Sequence, residues 1–141
     1  VTEAKTIHAR VAETGQSAYA VDILVSGHPI RGDEPVEAGG GNLGPAPYDL
    51  LLAALGECTA MTVRWYALRQ KWPLDNVEVT LTYHKGESEG RPGKTDIFTK
   101  TVTLRGDTLS EEQRRKLIDV AGKCPVQRTL EGVPLIRTMP A

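Results

Sequence analysis

The stretch Pro47-Tyr48-Asp49-Leu50-Leu51-Leu52-Ala53-Ala54-Leu55-Gly56-Glu57-Cys58-Thr59-Ala60-Met61-Thr62-Val63 reads as the opening of one long helix. Pro47 suits its first turn, where a missing N–H costs nothing. Pro73 ends the pattern, so the helix is expected from about Tyr48 to Lys71. Between positions 50 and 63 every side is apolar or small except at Glu57. A helix apolar all round packs inside a core. Gly56 costs about 1 kcal/mol relative to Ala in a helix interior, so it is expected where another element approaches closely.

Before this helix the chain reads as β-structure. Residues 5–12 alternate, with Ile7, Ala9 and Val11 on one face, and Tyr19 to Val25 alternate likewise. Thr14-Gly15-Gln16-Ser17 is a hairpin turn between them, and Ser26-Gly27 leads into a short strand His28-Pro29-Ile30-Arg31. Pro29 confines that strand to an edge or a bulge. The glycines of residues 37–47 have no phosphate-loop lysine and follow no clear parallel strand. They are read as a flexible loop into the helix rather than a nucleotide site.

Beyond the helix, Val77 to Tyr83 and Ile97 to Leu104 are strands joined by a long polar loop from Lys85 to Lys94. Ser110-Glu111-Glu112-Gln113 carries a capping box, and its helix runs to about Lys123. Pro125 opens a short further helix that ends near Gly132, and Val133 to Met139 is expected as a last strand. The order β3-α-β2-α2-β makes one α+β domain over residues 1–141.

Composition excludes several function classes. With 17 basic and 18 acidic residues and 5% aromatics, neither nucleic acid nor an anionic membrane is an expected partner. The apolar helix is interrupted by Asp49, Glu57 and Arg64 and is too charged to span a bilayer. Val1 opens directly into Thr2-Glu3-Ala4-Lys5, with no visible leader. Two cysteines fit a reducing compartment, so a cytoplasmic location is expected. Three scattered histidines and the cysteine spacing give no metal cluster, and no cofactor is implied.

The chemistry therefore falls to Cys58 and Cys124. Cys124, in Lys123-Cys124-Pro125, is an expected helix N-cap facing the positive end of a dipole. Such positions lower a thiol from about 8.5 to below about 7.5. Arg128, four residues on, can add charge from the same face. The competing reading is a small hydrophobe at a helix junction, and position alone does not choose. Most cysteines in apolar helices, as Cys58 is, are inert core residues. Glu57 beside it is costly to bury unless paired or solvated, so water, a cleft or an arginine is expected nearby. An acidic neighbour alone raises a thiol's pKa; Arg31, Arg10 and Arg128 are the candidate partners. A structural disulfide is a third reading, stabilising by about 4 kcal/mol in the chain-entropy model.

Gly44 to Thr62 resembles the first-cysteine motif of the OsmC/Ohr family, the osmotically inducible and organic hydroperoxide resistance proteins. Lys123-Cys124-Pro125-Val126-Gln127-Arg128-Thr129-Leu130 resembles the second. Gly32-Asp33-Glu34-Pro35 and the element order extend the likeness over nearly the whole chain. The resemblance implies a thiol peroxidase that reduces organic hydroperoxides. Cys58 would be peroxidatic and Cys124 resolving, with a dithiol or lipoyl-type reductant closing the cycle. It also implies an intertwined homodimer with its sites at the interface. Family members use a hairpin arginine and a glutamate at the helix start. Here the hairpin carries Gln16, the helix start carries Asp49, and Glu57 takes a position usually held by a small residue. These departures open an alternative: a non-catalytic or redox-sensing module that binds a small apolar ligand at the dimer interface.

Overall fold

The structure, a computed structural model, describes residues 5–141; the reading of residues 1–4 lies outside them. The chain divides into two compact units, Val1–Leu51 and Leu52–Ala141.

In the first unit, β1 (Ala9–Glu13), β2 (Val21–Val25) and β3 (His28–Gly32) form an antiparallel sheet in that order. Ser26 and Gly27 both take positive φ, 49° and 83°, the geometry of a two-residue turn whose twist matches its strands. Pro29 lies on the edge strand, as its missing N–H requires. The following segment is tied down rather than loose. The Asp33 carboxylate, 3% exposed, accepts from Ser17 Oγ at 2.9 Å, Glu34 N at 2.8 Å, Gly41 N at 3.0 Å and Leu43 N at 3.2 Å. Burial opposes the charged form, but these donors outweigh it and hold the carboxyl below its usual range. A short 3₁₀ turn, Val36–Ala38, lies inside this loop.

The helix α1 (Pro47–Gln70) begins in the first unit and continues through the second. In the second unit it packs on the hairpin of β4 (Asn76–Glu87) and β5 (Lys94–Arg105). These strands run further than the expected polar loop allowed. Lys85↔Asp96, Gly86↔Thr95 and Glu87↔Lys94 continue the ladder, and opposite charges face each other across two of those pairs. The buried α1 positions in this unit are Leu55, Gly56, Thr59, Val63 and Ala67. A Cβ at Gly56 would stand 2.6 Å from Leu81 Cδ1, so the glycine does permit the close approach expected of it. Burial on every side is not found: Met61, Trp65 and Leu68 are 55–66% exposed. One stripe of α1 meets the sheet and another is left open.

Ser110 caps α2 (Glu111–Ala121) in a complete capping box with Gln113. Leu117 and Ala121 of α2 join Val63, Ala67, Leu74 and Leu109 in the core. Arg114 fastens α2 to the end of β5, donating to Leu104 O at 2.8 Å and Gly106 O at 2.6 Å. Cys124 then caps α3 (Pro125–Glu131). The last strand is corrected: residues 133–139 are irregular. Val133, Leu135, Ile136 and Met139 are 75–100% exposed, and no ladder partner meets them among the described residues. A lone extended segment without a partner leaves its backbone unpaired and is not a strand. Among the described residues no helix is long and apolar enough to cross a membrane.

Candidate redox site

Both thiols converge on the first turn of α3. Cys58 Sγ accepts the Val126 N–H and Cys124 Sγ accepts the Gln127 N–H, each at 3.4 Å. These amides are among the four that a helix start leaves unpaired. The two thiols also interact directly, and both are free. Cys124 is completely buried, whereas Cys58 keeps part of its surface.

From there the surroundings diverge. Cys124 Sγ lies 3.6 Å from Thr59 Oγ1. Thr59 is itself fully buried and donates to Leu55 O at 2.7 Å. Lys100 Nζ donates to Thr59 Oγ1 at 3.0 Å and to Ala121 O at 2.7 Å. Burial works against a Cys124 thiolate. The Thr59 hydroxyl, the Gln127 N–H, the Cys58 thiol and the Lys100 charge together reverse that and hold its pKa below the ordinary thiol value. Burial pushes Cys58 up, and the neighbouring Cys124 pushes further; the Val126 N–H and the Thr62 hydroxyl only partly offset them.

The sequence-derived supporting residues lie as follows. Glu57 is exposed on α1, so its carboxylate needs no buried partner. Asp49 is a helix-start residue whose Oδ2 accepts the Ala46 N–H at 2.9 Å, within the first unit. Arg31, on β3 of that unit, faces Asp22 at 3.7 Å and is about half exposed. Arg128 is exposed on α3. The cation that acts on the thiol pair within the second unit is Lys100, which the sequence reading missed, as it missed Thr59. A signal was present. Lys100 shares its strand phase with Phe98, Val102 and Leu104, and a lysine on the inward face of a strand needs a partner.

A profile of the OsmC-like protein family matches residues 39–138. The chain belongs to the OsmC-like protein family. A comparison with curated proteins gives no match. Among solved structures, an organic hydroperoxide resistance protein OsmC from Legionella pneumophila is similar, with 19% identity and a TM-score of 0.69 over 93% of each chain. An organic hydroperoxide resistance protein from Elizabethkingia anophelis shares 19% identity at a TM-score of 0.69, over 94% of this chain and 92% of that one. An OsmC like protein from Mycoplasma pneumoniae shares 20% at 0.68, over 92% and 89%. At these identities the likeness establishes an OsmC-like α+β fold, and the chemistry is argued from the thiols themselves.

Proposed function

We propose that the protein is a cysteine peroxidase for organic hydroperoxides. The observation that carries this reading is the pairing of a partly exposed Cys58 with a buried Cys124 at one helix start. A peroxide can approach only the first, so Cys58 is the attacking thiol although Cys124 is the better thiolate. The Cys58 thiolate attacks the peroxide, forming an S–O bond and breaking O–O; the alkoxide leaves as an alcohol after taking a proton. Cys124 then attacks the Cys58 sulfur, forming S–S and expelling hydroxide. A dithiol or lipoyl-type reductant returns the pair to thiols and is oxidised in exchange. The names of the Legionella and Elizabethkingia neighbours support this substrate class.

The exposed α1 stripe of Met61, Trp65 and Leu68 supports assembly as a homodimer, since exposed apolar patches mark interaction surfaces. The homodimer, in a reducing cytoplasm, is the working state of this reading. The upward push on Cys58 favours a second reading, a redox-sensing or non-catalytic module that takes a small apolar ligand. The two part on turnover. Purified protein with cumene or tert-butyl hydroperoxide and a dithiol should consume peroxide continuously. Consumption no faster than that of Cys58→Ser would leave only the second reading.

A further inference from the structure

The surroundings of Thr59 contain one proton and too many acceptors. Its hydroxyl has a single hydrogen and two lone pairs. Lys100 Nζ occupies one lone pair, at 3.0 Å. The hydrogen has two candidate acceptors, Leu55 O at 2.7 Å and Cys124 Sγ at 3.6 Å. With Cys124 as a thiol, its S–H serves the second lone pair and the Thr59 hydrogen goes to Leu55 O. With Cys124 as a thiolate, the hydrogen turns to sulfur. Leu55 O gives up only an extra bond, because in a helix it already accepts the amide four residues on. The arrangement is satisfied in either state, and Lys100 polarises the hydroxyl in the direction that favours the second.

We infer that Lys100 is a positioning residue which, acting through Thr59, holds Cys124 as the thiolate of the pair and so drives the resolving step. Its placement follows from the fold. Lys100 stands opposite Leu81 in the β4–β5 ladder, and Leu81 rests on Gly56. The glycine brings α1 down onto the hairpin, which brings Thr59 over Lys100. The C-terminal carbonyl of α2, Ala121 O, holds the ammonium from the other side. The titratable groups acting on Cys124 are thus Lys100 from β5 and Cys58 from α1, while α3 contributes the Gln127 N–H. The neighbouring Lys123 is tied to Asp119 at 3.0 Å.

The catalytic consequence rests on the peroxidase reading. The Cys124 sulfur attacks the Cys58 sulfenic acid already deprotonated; S–S forms, the S–O bond breaks, and hydroxide leaves to take a proton from solvent. Cys124 is oxidised to the disulfide level, and no further reductant is needed until the cycle closes. In that closure the better leaving thiolate is Cys124, so the external thiol bonds to Cys58, the sulfur it can reach.

The test does not require peroxidase activity. In a Cys58→Ser background Cys124 is the only thiol, and its ultraviolet thiolate absorbance against pH gives one titration without needing access to the buried sulfur. Lys100→Met and Thr59→Val should each raise the midpoint by about one pH unit. Lys100→Arg and Thr59→Ser should return it to near the parent, which separates charge and hydroxyl from packing. If Lys100→Met does not fold, the Thr59→Val and Thr59→Ser pair still decides. Coincident midpoints for the parent and both loss variants would overturn the inference. So would a shift with Lys100→Met but none with Thr59→Val, since the charge would then not act through the hydroxyl. With both cysteines present, Lys100→Met should slow disulfide closure after peroxide addition, while sulfenate forms no more slowly than in the parent, since less charge on Cys124 burdens Cys58 less. If no sulfenate forms, the peroxidase reading fails while the titration still stands.

Discussion

Cys58 and Cys124 reach the same helix start, take consecutive amides at the same 3.4 Å, and are pushed in opposite directions. The amide bond therefore does not set the thiol. What differs lies behind each sulfur. Behind Cys124 stand a buried hydroxyl and an ammonium; around Cys58 are an amide, a hydroxyl and the other thiol. The partly exposed sulfur is the poorer thiolate, and the one whose ionisation is favoured is enclosed. That division suits a two-step cycle, in which the exposed thiol meets the oxidant and the buried one waits for it.

The largest test of this division removes one thiol at a time. Cys58→Ser should reduce hydroperoxide consumption to that of buffer. Cys124→Ser should allow a single turnover and then stall with a Cys58 sulfenate, detectable with a dimedone-type probe. Equal residual turnover in the two variants would erase the distinction between attacker and resolver.

A structural perturbation comes next. Gly56→Val places a branched side chain against Leu81, where even a Cβ would stand 2.6 Å away. Overpacking of this kind costs about 1–3 kcal/mol, readable by urea denaturation. The same variant lifts Thr59 from Lys100, so it should also slow disulfide closure. Unchanged stability would mean that α1 does not depend on the close approach.

In the intact pair Cys124 loses its proton first, and its charge raises Cys58. The rate of sulfenate formation should therefore climb with pH through a midpoint above the free-thiol value of about 8.5. Cys124→Ser removes the like charge, so the midpoint should move down. A midpoint that stays put would show that burial alone, and not the second thiol, burdens Cys58.

The smallest effect is expected at Arg128. Its side chain is exposed, and substitutions at such positions change stability by less than about 0.5 kcal/mol. Arg128→Ala should leave the Cys124 titration in place. A shift as large as that of Lys100→Met would return the charge to α3.

The readable parts of this molecule were the local ones. Pro47, Pro73, the Ser110–Gln113 capping box and the Cys124-Pro125 junction each act within one helical turn, and the structure keeps them all. Gly56 was legible because a glycine in an apolar helix asks for a reason. The Lys100–Thr59–Cys124 chain was not legible, because it joins β5, α1 and the cap of α3, which only tertiary packing brings together. The inward phase of Lys100 was its one local trace. The tail failed for the opposite reason: Val133 to Met139 has the composition of a strand, but pairing needs a partner, and the described residues offer none.

The most direct test of the account is the intact mass of the reduced protein after one equivalent of tert-butyl hydroperoxide. A loss of two hydrogens is expected, absent in both single cysteine variants, with peptide mapping joining Cys58 to Cys124. An unchanged mass, or a stable addition of one oxygen with no disulfide, would contradict it.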